Sequence, residues 1–415
     1  MTGLPHGRFT DYFKALNGYG PFRWQSELAR RFCDGRYPQA LALPTAAGKT
    51  ACIDIAVFAM AHQADWPAER RTAPRRIFFV VDRRIIVDAA FARAHVIAKK
   101  LNDADNGILR DVADALRRVG GDHAPTADKS SDAVPLAVFQ LRGGIYRDDA
   151  WARTPTQPTV ICSTVDQIGS RLLFRSYGNS PHCWPLHAGL AGNDVLIILD
   201  EAHCAVPFMQ TLEAVRRYRE WSKTPVRSPF HVVVMSATPP AGLTDVYPAR
   251  SEREDVLKDD LLRQRRGAAK PARLRIAAKP AIPRKGQPGL RHIRDNDLLV
   301  LDAADQALRW MDDGHDRVAI MVNRVMTAKR IFEALTENNG DARADVVLLT
   351  GRMRPIDRAS LEGAWTPRLR ANNPEQLDRP VIVVTTQCLE VGADFSFDAL
   401  VTECVVRSLV AAFRA

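Results

Sequence analysis

Leu43-Pro44-Thr45-Ala46-Ala47-Gly48-Lys49-Thr50 decides how this chain is read. The apolar run Ala40-Leu41-Ala42-Leu43 leads into it, and the helix-like Ala51-Cys52-Ile53-Asp54-Ile55-Ala56-Val57-Phe58 follows. A loop between a strand and a helix presents backbone N–H groups and the positive helix end to a phosphate. Thr45, Ala47 and Gly48 are the expected cradle. Lys49 is placed to reach the β/γ-phosphates, and the Thr50 hydroxyl to ligate Mg²⁺. The pattern departs from the general phosphate loop at Leu43, where glycine is usual, and at Ala46, where glycine is frequent. Gly48, Lys49 and Thr50 are intact, which describes a tightened variant of the loop.

A second apolar run, Val195-Leu196-Ile197-Ile198-Leu199, ends in Asp200-Glu201-Ala202-His203. A strand there delivers Asp200 to the metal and Glu201 to an attacking water. One glycine-lysine-threonine is a common chance match. Two such elements, in this order and each at a strand's C-terminal end, carry the argument.

A chain of 415 residues exceeds one ordinary core, so two domains are expected. Its 46% hydrophobic and 26% charged residues are those of a soluble globular protein. The net charge of +10 suits a polyanionic partner, although a generally basic proteome gives the same number. Seven cysteines without a C-x-x-C spacing read as reduced core residues, so the expected location is cytoplasmic. No opening signal peptide and no membrane-spanning apolar run is read, hence no membrane partner is expected.

Strand runs alternate with helix-like stretches at Ala40–Leu43, Ile77–Val81, Val160–Cys162, Val195–Leu199 and His231–Met235, the signature of a parallel α/β sheet. Gly120–Asp132 reads as an insertion loop. Residues 248–290 are basic and proline-rich and read as an inter-domain connection with one strand at Ala272–Ala277. The expected domains are therefore 1–247 and 291–415. The second restarts the same grammar, with strands at Arg317–Val322, Val346–Leu349, Val381–Thr385 and Ala399–Thr402 and a helix at Met326–Thr336. Two tandem α/β domains, the first with a phosphate loop, describe an ATP-driven motor with ATP in the cleft.

Further motifs fall at strand ends. Ser236 and Thr238 follow His231–Met235, where small hydroxyls can sense a γ-phosphate and couple its loss to a distant face. Gln25 precedes the phosphate loop; its carboxamide can pair with adenine, with Phe22 or Trp24 covering the base. Arg83 and Arg84, Arg142, and Thr164 stand where side chains can grip a single-stranded backbone without reading bases. Each such turn alone is equally a capped helix start. In the second domain Asn323, Thr385 and Gln387 are further nucleic-acid candidates, and Gly392 and Asp394 can face ATP. Pro181–His187 lacks a fourth ligand for zinc, and His315-Asp316 reads as turn chemistry.

In order, these motifs resemble superfamily-two nucleic-acid helicases of the DEAH type over nearly the whole chain. More narrowly, Val81-Asp82-Arg83-Arg84 and Ser163-Thr164-Val165-Asp166-Gln167, with the phosphate loop, Ile198–His203 and Leu389–Asp394, resemble the CRISPR-associated helicase–nuclease of type I interference systems. The resemblance is to the subtype whose nuclease follows the helicase. It implies two tandem RecA-like domains and ATP-driven 3′-to-5′ movement on single-stranded DNA opened by an RNA-guided effector complex, the implied partner. A helicase outside CRISPR, and a non-catalytic fragment that binds nucleotide or DNA, are the alternative readings.

The resemblance stops at the end. After Ala399–Thr402 the family continues into Gln-x-x-Gly-Arg-x-x-Arg, whereas this sequence reads on from Glu403 to Ala415 without it. The second domain is thus expected to be incomplete, with hydrolysis lowered about a thousandfold or more for want of an arginine finger. Codons allowed for Ala411-Ala412-Phe413-Arg414-Ala415, read one base later, can encode Gln-Arg-Phe-Gly-Arg, the start of that motif. A frame shift between Cys404 and Ala411 is the corresponding expectation.

Overall fold

The computed structural model describes residues 3–44, 47–82, 84–121, 134–143, 148–200, 205–237, 239–240, 242–267, 271–277, 297–337, 344–351, 353, 355–369, 377–386 and 395–403. The chain divides into two compact units, Met1–Ala268 and Ala269–Ala415.

In the first unit the apolar runs become β1 (Ala40–Leu41), β2 (Arg76–Val81), β3 (Ala137–Leu141), β4 (Thr159–Thr164), β5 (Val195–Asp200), β6 (Phe230–Met235) and β7 (Val246–Tyr247). They form one sheet ordered β3-β4-β2-β5-β6-β1-β7, with every pairing parallel. Central β2, β4 and β5 are buried nearly throughout, which is why their sequences run apolar without alternation. The edge strands β3 and β7 go beyond the sequence expectation. Gln140-Leu141 closes β3, a half-buried strand whose apolar run Leu136–Phe139 follows directly on Pro135.

The helices are α1 (Phe9–Asn17), α2 (Arg23–Cys33), α3 (Cys52–His62), α4 (Arg84–Asn102), α5 (Gly107–Gly120), α6 (Val165–Leu172), α7 (Trp184–Gly192), α8 (Val206–Glu220), α9 (Arg253–Val256) and α10 (Asp260–Gly267). Residues Cys52–Ala61 of α3 are all buried, so this helix is enclosed on every side. Phe78, Val80, Val195, Ile197, Leu199 and Val234 pack with Ile168, Phe208 and Leu212 of α6 and α8 as one core.

The chain from Pro248 to Gly267, expected in the connection, is carried in the first unit. Arg31 of α2 meets Glu252 at 3.0 Å, and the Arg23 amide donates to the Asp259 carboxylate at 3.3 Å. No strand forms at Ala272–Ala277: Leu274 and Ile276 are 77% and 91% exposed, with no ladder partner to make the pattern a strand. Most of the expected insertion loop lies outside the described residues.

The second unit holds β8 (Arg317–Val322), β9 (Asp345–Leu349), β10 (Val381–Thr386) and β11 (Ala399–Thr402) in the parallel order β11-β8-β10-β9. Helices α11 (Leu298–Asp312), α12 (Val325–Glu337) and α13 (Pro355–Leu369) complete it. Val318, Ile320, Val322, Ile382 and Val384 pack with Val300 and Ile331 on one face of this sheet. Val347, Val381 and Val383 pack with Leu369 on the other.

Candidate nucleotide site

Strand register assembles the first site. Leu41, Met235 and Asp200 are aligned across β1, β6 and β5, so the phosphate loop, Ser236 and Asp200 emerge on one C-terminal edge. The Ser236 amide donates to the Leu41 carbonyl at 3.1 Å, fixing the start of its segment beside the strand that feeds the loop. Val81 is aligned with Thr164, and Leu141 with Ser163, so the segments after β2, β3 and β4 extend the same edge.

The loop is held from behind by α2. The Trp24 indole N–H donates to the Ala47 carbonyl at 3.1 Å, and the Gln25 Nε2 to the Gly48 carbonyl at 3.3 Å. Both peptide groups are trans, so drawing these carbonyls toward α2 turns the Gly48 and Lys49 N–H groups the opposite way. Gly48 has φ +76°, and a Cβ there would stand 3.1 Å from Gln25 Nε2. Backbone conformation and the close approach both call for glycine. Gly48 and Thr50 are exposed while Ala47 is buried. The result is an open backbone cradle of the kind that receives an anion.

The Gln25 Oε1 accepts from the Phe22 amide at 2.8 Å, capping the start of α2. Gln25 is itself only 3% exposed, and one amide hydrogen and one oxygen lone pair remain on its carboxamide, the complement that adenine takes. Trp24 is fully buried, so it cannot cover a base; that expectation is corrected. Its spacing with Leu28 and Phe32, at i, i+4 and i+8, already placed it on the inner face. The Tyr247 hydroxyl donates to the Trp24 carbonyl at 2.9 Å, a support with no signal in the sequence. The Phe22 ring would lie 3.7 Å from a Cβ added at Gly48, close enough to the loop to keep the base-covering role open.

Behind the loop, Asp54 of α3 is fully buried and pairs with Arg93 of α4, with Asn17 Nδ2 3.4 Å away. Burial raises the Asp54 carboxyl pKa against the pull of Arg93. Burial also raises the Cys52 thiol, helped by Asp200 and Asp54 and opposed by Lys49. The charges of Lys49 and Asp200 are therefore both felt at one sulfur. The donors Thr50 and Asp200 are hard oxygens, which suits Mg²⁺.

The candidate nucleic-acid residues are less free than their positions imply. Arg142 is bound to Asp88 of α4 at 2.6 Å. Thr164 is 6% exposed, and Thr385 of β10 is fully buried with its hydroxyl donating to the Thr386 carbonyl at 3.0 Å. A hydroxyl inside the sheet cannot meet a strand passing outside it, so Thr385 is corrected as a direct contact. The Asn323 amide donates to Glu403 at 2.8 Å at the mouth of β8. Thr45, Arg83, Glu201, Thr238, Gln387, Gly392 and Asp394, with the Arg84 side chain, lie outside the described residues.

Residues 314–411 match the family described as CRISPR-associated nuclease/helicase Cas3, C-terminal. T. fusca Cas3, solved also with AMPPNP, ATP and ADP, shares the fold with TM-score 0.57 and 18% identity over 99% of this chain and 45% of that one. The DEAD-box helicase Mss116 bound to ssRNA and UDP-BeF matches with TM-score 0.52 and 13% identity, over 94% of this chain and 66% of that one. The DUF1998 helicase MrfA bound to DNA matches with TM-score 0.54 and 13% identity, over 99% of this chain and 49% of that one. The chain thus spans about half the length of the Cas3 and MrfA structures it matches. No curated protein sequence matches it.

Proposed function

From a chain that is Cas3-like and has the tandem RecA-like fold of superfamily-two helicases, we propose an ATP-driven motor on single-stranded DNA that acts in CRISPR interference. The observation that carries this reading is the shared C-terminal edge of β1, β5 and β6, from which the phosphate loop, Asp200 and Ser236 all emerge. In this reading the Gly48 and Lys49 amides hold a phosphate. The Lys49 ammonium stabilises charge that develops on the transferred group. Thr50 and Asp200 would hold Mg²⁺, which when bound would supply charge neutralisation at the phosphates. Glu201, the next residue after Asp200, orients the attacking water. Gln25 takes the adenine edge with its remaining donor and acceptor.

Ser236 is the coupling residue of the proposal, since its backbone amide is tied to the strand that feeds the phosphate loop. Single-stranded DNA is the polyanion chosen, because an RNA-guided complex that opens a target leaves only backbone gripping to the motor. That MrfA was solved with DNA and T. fusca Cas3 with ATP supports the two ligand classes. The effector complex and a cytoplasmic setting belong to the same proposal.

The test is ATP hydrolysis by the purified chain, with and without single-stranded DNA, beside Lys49→Ala. A slow residual turnover that DNA stimulates and the variant loses is the expected result, and fast DNA-stimulated turnover would overturn the expected lowering of hydrolysis. Turnover that survives in Lys49→Ala would remove this site from the mechanism.

A further inference from the structure

Helix α8 begins just beyond the Asp200 end of β5 and runs back to the opposite edge of the sheet, where β6 starts. Its last turn carries an aromatic pair that no core claims. Tyr218 and Trp221 are 58% and 74% exposed, and their ring centroids are 4.9 Å apart at an interplanar angle of 54°. Burial of large rings is the norm, so two neighbouring exposed ones call for a partner.

The charges around them are unevenly committed. Arg216 is tied to Glu213 at 2.9 Å, and Arg219 turns inward to the Gly192 carbonyl at 2.6 Å and over the Phe230 ring. Arg217 stays exposed, and helical spacing puts it one turn before Trp221 on the same face. Beyond the helix every residue from Trp221 to Arg227 is exposed, including Lys223, and the Ser222 hydroxyl pins the turn by donating to the Thr224 carbonyl at 2.7 Å. Arg217, Lys223 and Arg227 thus flank the two rings along the chain, all three exposed, with Glu220 the acidic residue among them.

We infer that Tyr218 and Trp221, with Arg217, Lys223 and Arg227, form a second binding site for single-stranded nucleic acid. Bases stack on the exposed ring faces, and the three cations meet the phosphates on either side. The patch lies about 22 Å from the start of α8, the length of fifteen helical residues, so it is separate from the nucleotide edge. A protein partner is the weaker fit. Protein hot spots sit at a centre shielded from water, whereas this pair has exposed charges beside it in the chain and only Val226 as an exposed apolar neighbour. The choice of ligand rests on the nucleic-acid reading above; the site itself requires no ATP.

Fluorescence anisotropy of a labelled oligo-dT, titrated with the full chain without nucleotide, tests the assignment. Trp221→Ala should weaken binding roughly ten- to a hundredfold, and Trp221→Phe should restore most of it. Neutralising Arg217, Lys223 and Arg227 to Gln should flatten the salt dependence of log affinity by up to about 2. ATP hydrolysis in the absence of DNA should be unchanged in every one of these variants. Wild-type binding that Trp221→Ala and the Gln variant leave intact overturns the site while the motor reading stands. If the wild type binds no oligonucleotide at all, both readings fall.

Discussion

The two sheets end their strands alike but build different things there. In β4 the Ser163 hydroxyl donates to the Thr164 carbonyl at 3.0 Å, and in β10 the Thr385 hydroxyl does the same to Thr386 at 3.0 Å. These two buried parallel strands therefore close with a short hydroxyl side chain folded onto the next carbonyl of its own strand. The first sheet adds something without a described counterpart in the second: a glycine loop whose two carbonyls are gripped by Trp24 and Gln25 from another helix. Repeating the fold is cheap in sequence. Specialising one copy for an anion takes side chains brought from outside the strand–loop–helix unit.

Lys49→Ala offers the hardest break of this contrast. Losing the ammonium should lower nucleotide turnover by roughly a hundred- to a thousandfold, read as phosphate release. Thr385→Ser, its control in the second sheet, should leave the nucleotide dissociation constant unchanged. Equal losses in the two variants would mean that the first sheet is not the specialised one.

Acid should also separate the two units. Burial lowers the pKa of His231 in β6 to about 4, with Arg216 and Arg219 adding to the fall and the Thr72 carbonyl opposing it. The ring stacks on Tyr37 at 4.0 Å, and its Nε2 is 3.0 Å from the Thr72 carbonyl, a bond the neutral ring donates. The unfolded histidine titrates near 6.5, so the folded state takes up its proton later. Stability is full above about 6.5 and is lost as pH falls toward 4, on the order of 2–3 kcal/mol. No strand of the second sheet contains histidine. Hydrogen exchange at pH 7 and pH 5 should therefore show the first unit loosening first, and His231→Gln should reduce the difference, with buried His187, whose pKa is also lowered, supplying the rest. Identical pH behaviour of wild type and variant would deny His231 that role.

Glycine substitution gives a finer contrast. Gly48→Ala must hold φ +76° and push against Gln25 Nε2, costing about 1–2 kcal/mol and a weaker grip on nucleotide. Gly351 at the end of β9 has nothing within 4 Å of an added Cβ, so Gly351→Ala should shift the denaturant midpoint little. A neutral Gly48→Ala would show that the loop is not held as described.

The last contrast is Trp24→Phe. It keeps most of the buried ring but removes the N–H that holds the Ala47 carbonyl, a loss of about 1–2 kcal/mol. Nucleotide affinity should fall several-fold, measured by displacement of a fluorescent ATP analogue. An unchanged affinity would reduce Trp24 to simple packing.

The sequence by itself determined the parallel α/β class, the central strands, and the order of phosphate loop and acidic box. Those follow from local signals: apolar runs fit strands covered on both faces, and Gly48-Lys49-Thr50 sits between a strand and a helix. It overreached at Ala272–Ala277, where a strand pattern had no neighbour to pair with, and at Thr385, where a hydroxyl at a strand end faces inward. It missed β3, although the apolar run Leu136–Phe139 marks it, and β7, whose two residues become a strand only by pairing with β1. Tertiary structure alone decided that Trp24 braces the loop instead of covering a base, that Tyr247 supports it, and that Arg142 is held by Asp88. Each is a contact between residues far apart in the chain. Local propensity carries no information about such pairs, because their energy exists only once the sheet has set the register.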